Sequence, residues 1–268
     1  MLRLRPREVL GSQTLGRHDL RFSVPDTETQ QSEDYFGNSL LELRLYARHN
    51  ELTIDSVSEV DVLPRDEILL DLSPRWRTVA ESLTIPMNAA DWQATQFCFP
   101  SRHVDPHASE DYIQSIVTDD MSVLRLAHTL TTQIYKDFTY QGGVTSVNTP
   151  VSEIIKHRRG VCQDFAHLAI ACLRNLGLAA RYVSGYILSE LEARPALVGS
   201  EASHAWISVY CPEFGWVDFD PTNNQMTSDQ HIILGWGRDY ADVAPSQGSI
   251  LGGGRQTLEI DVSVKLTS

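Results

Sequence analysis

Between Cys162 and Leu176 the chain reads CQDFAHLAIACLRNL, and Gly177 follows. In helical register Phe165, Ala166, Leu168, Ala169, Ile170, Ala171, Cys172, Leu173 and Leu176 leave almost no polar stripe, so this helix must be buried on most sides. Gly177 supplies its stop. A helix without a wet face needs layers of other structure around it. The 268 residues are enough for one large domain or two smaller ones.

The neighbouring segments show what those layers are. Val123, Leu124, Ala127, Leu130, Ile134 and Phe138 recur at three- and four-residue intervals, which predicts an amphipathic helix over 121–138. Thr149 before Pro150 reads as an N-cap with proline in the first turn of a short helix through Ile154 and Ile155. Strands are expected at Ala180–Leu188, His204–Tyr210, Gly215–Asp220 and Thr257–Leu266. Upstream, Asp19–Val24, Leu40–Ala47 and Glu51–Val62 alternate apolar and polar residues, as an antiparallel sheet with one wet face does. Residues 63–118, rich in Pro, Asp and Ser, carry no clear pattern. The fold class is α+β, with a β-rich unit over 1–115 and a helix-then-strand core over 116–268.

Composition narrows the function. Twenty-two basic against 35 acidic side chains give a net charge of −13, which repels nucleic acid and anionic membrane surfaces. Four cysteines at unrelated spacings, with no CxxC pair, point to a reducing compartment and individual thiols. The first twenty residues hold no apolar run of signal-peptide length, and no stretch reaches a membrane span. A cytoplasmic protein is therefore expected.

Three residues carry chemistry. Cys162 opens the buried helix, where unpaired backbone N–H groups and the positive end of the dipole stabilise a thiolate. The same N–H groups can hold the oxyanion of a tetrahedral intermediate. His204 opens one strand of an expected hairpin and Asp220 ends the other. Keeping Ala205, Ile207, Val209, Val217 and Phe219 on one face, with a short loop around 211–213, places His204 opposite Asp220. A two-residue slip would bring Asp218 there instead. Pro221, which holds Asp220 extended, favours Asp220. A carboxylate in that place orients the imidazole and stabilises its charged form.

The runs RxGVCQDFAHL (158–168), RYVSGY (181–186), SHAW (203–206) and GWVDFDPTN (215–223) resemble the core of the transglutaminase-like superfamily, most closely its bacterial branch of candidate cysteine proteases. DYFGN (34–38) is similar to the β-rich N-terminal domain that accompanies this core, although Met1 directly precedes LRLRPRE where the family has a further strand. The resemblance implies a papain-like catalytic core with Cys162 as nucleophile, His204 as general base and then acid, and Asp220 as the orienting carboxylate. It implies no cofactor.

Other residues have simpler readings. Asp164 complements the helix dipole and is a candidate partner of Arg159. His167, about 140° round the helix from Cys162, reads as a core histidine. Tyr140 is a candidate second donor to the oxyanion, explained equally well as a core tyrosine. Trp206 is a candidate border of the substrate cleft, with packing as its default. Cys98 and Cys172 read as buried bystanders, and Cys211 as a turn residue that could be exposed. His103 and His107, separated by Pro106, fit no zinc pattern, and no metal is expected. Gly252-Gly253-Gly254 lacks the context of a phosphate loop.

The expected function is thiol-dependent acyl transfer on a peptide or glutamine-type amide through a thioester, with water as the favoured acceptor. A protein or peptide is the expected partner. The alternatives are transfer to an amine, transfer of an acetyl group from a thioester donor, and an idle peptide-binding module using the same cleft.

Overall fold

The computed structural model describes residues 1–65, 67–188, 197–199, 202–252, 254 and 256–267. The first four strands are β1 (Gln13–Phe22), β2 (Glu28–Glu33), β3 (Ser39–Arg44) and β4 (Ile54–Val62). They form two antiparallel ribbons, β1 with β4 and β2 with β3. Strand β2, ETQQSE, is exposed along its whole length and has no apolar alternation to betray it.

The unpatterned segment 63–118 contains α1 (Trp76–Thr84), α2 (Ala89–Thr95) and α3 (Glu110–Gln114). Their buried Trp76, Val79, Leu83, Ala94 and Ile113 belong to the same apolar cluster as the helices that follow. Packing thus joins 70–113 to the core, although sequence grouped these residues with the N-terminal unit.

Next come α4 (Val123–Asp137), β5 (Thr139–Tyr140), α5 (Val151–His157), β6 (Arg159–Gly160) and α6 (Cys162–Asn175). Helix α5 takes Pro150 as its N-cap, one residue later than expected, while the Thr149 hydroxyl accepts the Ser146 N–H. Helix α6 is enclosed as its composition requires, with every residue from Asp164 to Arg174 buried.

The remaining elements are β7 (Ala180–Ile187), β8 (His204–Cys211), β9 (Gly215–Asp220), β10 (Gln225–Met226), β11 (His231–Gly237) and α7 (Tyr240–Val243). An antiparallel five-stranded sheet runs β10-β9-β8-β7-β11, with α6 packed on β7 and β8. Strand β11, which the sequence reading did not anticipate, is an edge of this sheet. Its peptide groups are covered by side-chain amides from the N-terminal unit. Gln13 donates to the Ile233 carbonyl at 2.8 Å and accepts the Ile233 N–H at 2.7 Å, and Asn38 does the same for Trp236 at 2.8 and 3.0 Å. The Trp236 ring lies between two guanidiniums, Arg7 at 3.7 Å and Arg181 at 3.8 Å, so cation–π contacts join the two parts.

The expected last strand, Thr257–Leu266, is not a strand among the described residues. The segment is largely exposed, and Val264 packs on the small cluster of Ile187, Leu188 and Leu197. No helix among the described residues is long and apolar enough to cross a membrane.

Candidate active site

The entry to α6 is fixed by local bonds. Strands β5 and β6 pair in parallel, with Tyr140 beside Gly160. The Asp164 carboxylate reaches back to accept the Val161 N–H at 2.8 Å and the Thr145 hydroxyl at 2.7 Å. It does this in place of the expected Arg159, which is exposed. Burial raises the Asp164 carboxyl, and these two bonds offset part of the rise. Gly160 lies so close that a Cβ there would sit 2.7 Å from Asp164 Oδ2. Because the N-cap residue Val161 has no polar side chain, none is available to cap the first-turn N–H groups around Cys162. Cys162 itself is half-buried.

His204 and Asp220 meet, but in a register two residues from the expected one. The ladder pairs Ile207 with Phe219, Val209 with Val217 and Cys211 with Gly215. The loop is Pro212–Phe214, where Phe214 N–H bonds the Cys211 carbonyl at 3.2 Å and Gly215 takes a φ of +69°. This is the three-residue hairpin whose left-handed position favours glycine. Extending the ladder places Trp206 opposite Asp220, so His204 and Asp220 are diagonal neighbours. Their side chains still span the gap, with His204 Nε2 2.8 Å from Asp220 Oδ2.

Asp220 is wholly buried and densely bonded. Its Oδ1 accepts Thr222 N–H at 2.9 Å and Asn223 N–H at 3.2 Å; its Oδ2 accepts the Asn223 side-chain amide at 2.7 Å. Burial alone would raise this carboxyl, but His204 and His231 outweigh it and hold the group well below the carboxylate range. Burial likewise opposes a charged His204, and Asp220 together with the Cys162 sulphur reverses that, raising the imidazole above its ordinary value. Nδ1 of His204 is buried with no hydrogen-bond partner among the described residues, and the Cys162 thiol is close enough to raise the ring further.

Tyr140 and His204 flank one point. A Cβ built on Gly199 would lie 3.0 Å from His204 Nδ1 and 3.5 Å from the Tyr140 hydroxyl. Asn223 holds this loop in place by accepting the Val198 N–H at 2.8 Å while bonding Asp220. Trp206 does not border a cleft. It is completely buried, packs beside the His204 ring at 6.1 Å and donates to Asp218 Oδ2 at 3.2 Å. It therefore shields the His204–Asp220 pair from water.

The remaining candidates lie elsewhere. His167 accepts the Tyr240 N–H at 3.2 Å and stacks on His103 at 5.6 Å; burial lowers it to about 3. Asp105 caps the turn at Pro106–Ser109. Cys211 is buried, contrary to expectation, because it closes β8 under the hairpin. Asn223 and His231 contact Asp220 and escaped the sequence reading; the only signal for Asn223 was its place in the GWVDFDPTN run.

Comparison with known proteins identifies the family and the fold. Residues 110–221 match the transglutaminase-like superfamily core, and residues 1–61 match the bacterial transglutaminase-like N-terminal region. An uncharacterized protein of Mycobacterium tuberculosis is 36% identical over 97% of this chain and 84% of its own length. A protein-glutamine gamma-glutamyltransferase of Pseudomonas aeruginosa is 41% identical over 24% of this chain and 10% of its own. The crystal structure of a candidate cysteine protease from Cytophaga hutchinsonii superposes with a TM-score of 0.72 at 24% identity, covering 91% of this chain and 77% of that one, which establishes the shared fold. The chain belongs to the transglutaminase-like superfamily and carries the bacterial N-terminal region of that family.

Proposed function

We propose that the protein is a thiol-dependent acyl-transfer enzyme acting on peptide or glutamine-type amides, with water as its usual acceptor. The observation that carries this reading is the enclosed 2.8 Å bond between His204 and Asp220, on an imidazole that also feels the Cys162 thiol at the start of α6. In this reading the Cys162 thiolate attacks the amide carbonyl, and the first-turn N–H groups of α6 stabilise the oxyanion with help from the Tyr140 hydroxyl. His204 protonates the departing amine, leaving a thioester on Cys162. It then removes a proton from the incoming water, and the acid product and free thiol are released.

Transfer to an amine is the second reading, favoured by the stretch similar to the Pseudomonas glutamyltransferase. The same Cys162 thioester serves both. The free state of all four cysteines supports a reducing compartment, here the cytoplasm.

The test is to offer peptide pools with and without a primary amine and to follow products by mass spectrometry. Hydrolysis yields new carboxyl groups regardless of amine, whereas transfer yields amine-bearing peptides. An idle binding module would retain peptides and convert none.

A further inference from the structure

His231 is 3% exposed and opens β11, opposite Ile187. A buried histidine must have both ring nitrogens accounted for. The Ser228 backbone N–H donates to Nδ1 at 3.3 Å, so Nδ1 carries a lone pair and the neutral ring bears its proton on Nε2. Nε2 lies 3.4 Å from Asp220 Oδ2. Protonating the ring would set an Nδ1 hydrogen against the Ser228 N–H, so this turn selects the neutral tautomer. Trp206 meets the ring edge-on at 5.3 Å and 82°, which fixes its plane.

We propose that His231 is a positioning residue for Asp220, a neutral Nε2–H donor that keeps the carboxylate ionised and aimed at His204. This rests on the acyl-transfer reading above. A neutral donor suits the place: a second cation would compete with the His204 imidazolium for Asp220, whereas a neutral N–H supports the anion without competing. The charged and titratable groups around His231 come from three elements. Asp220 and Asp218 face it from β9 and His204 from β8, and Arg65 comes from the segment after β4. Arg65 is paired with Asp218 at 3.1 Å. His231, Trp206, Asp218 and Arg65 line a small cavity of about 10 Å³, room for about one water.

The test is the pH dependence of Cys162 alkylation by iodoacetamide in the full chain, which needs no substrate. In His231→Phe the ring packing is kept and the donor is lost. Asp220 should then be held less well against the His204 imidazolium, so the acid limb of the profile moves up by about half to one unit, a slowing of about three- to tenfold at a fixed pH on that limb. His231→Gln, which retains an N–H donor, should restore most of the rate. A His231→Phe profile that coincides with wild type overturns the proposal, and so does an equal shift in both variants, which would mark a packing role. Nitrogen-15 spectra of the wild-type imidazoles decide the matter even if a variant fails to fold. A neutral Nε2–H ring at His231 supports the proposal, and a cationic or Nδ1–H ring overturns it. If wild-type alkylation is unchanged by His204→Ala, it is the acyl-transfer reading that fails, while the tautomer still reports on His231.

Discussion

His204 and Asp220 are hydrogen-bonded at 2.8 Å between two side chains with no solvent exposure, although they sit diagonally and not directly across the β8–β9 ladder. Trp206, between them in the pairing order, covers the bond. The other ring nitrogen of His204 is buried without a hydrogen-bond partner among the described residues.

Replacing Asp220 with Asn keeps the shape and removes the charge. The imidazolium then loses its counter-ion, and the thiolate of Cys162 loses the cation that stabilises it. Alkylation of Cys162 near neutral pH should slow by about tenfold or more, measured with iodoacetamide under pseudo-first-order conditions. An unchanged rate would mean that the carboxylate does not act on the thiol.

Stability should depend on pH through the same pair. His204 is raised above its unfolded value near 6.5, so its contribution is full below about 6.5 and is lost as pH rises through the folded value. Asp220 is lowered, so its contribution is present above about 3.9 and is lost as pH falls. The stability gap between wild type and His204→Ala in urea unfolding should be widest at about pH 4–6.5 and should narrow towards about pH 9. A gap that stays flat across this range contradicts the pairing.

The four thiols should not react alike. Burial pushes Cys98 and Cys172 up to about 12 and Cys211 up to about 11, which leaves them protonated at neutral pH. Cys162, half-buried at a helix start beside His204, should be labelled first in a peptide map. Labelling of Cys98 or Cys211 ahead of Cys162 would count against an activated nucleophile.

Gly185 tests the packing behind the site. A Cβ there would fall 2.1 Å from the Ile232 carbonyl oxygen and 2.3 Å from the Trp206 ring. Gly185→Ala should cost about 3 kcal/mol or more in denaturant unfolding. It should also slow Cys162 alkylation by displacing Trp206 from the His204–Asp220 bond. A stable variant with wild-type alkylation would show that this wall is not needed.

Much of this site was legible in the sequence because its determinants are local. The apolar run after Cys162 declared a buried helix, and alternation declared the strands carrying His204 and Asp220. Register was less legible, because the Pro212–Phe214 loop and the left-handed Gly215 set it, and alternation tolerates any two-residue slip. The short helices between Trp76 and Gln114 hid among prolines and aspartates, since their stability comes from packing on α4 and α6 and not from their own periodicity. Gln13, Asn38 and His231 are single polar residues whose partners lie far along the chain or in the site itself, and no sequence pattern announces such contacts.

The central claim is that an acyl group passes through Cys162. Acid-quenching the enzyme during exposure to an activated glutamine-type peptide ester, followed by peptide mapping, tests it most directly. The account predicts a thioester on Cys162 that decays on standing, forms more slowly in Asp220→Asn and is absent in Cys162→Ala along with all turnover. Turnover that persists in folded Cys162→Ala, or an acyl group found only on another residue, would contradict it.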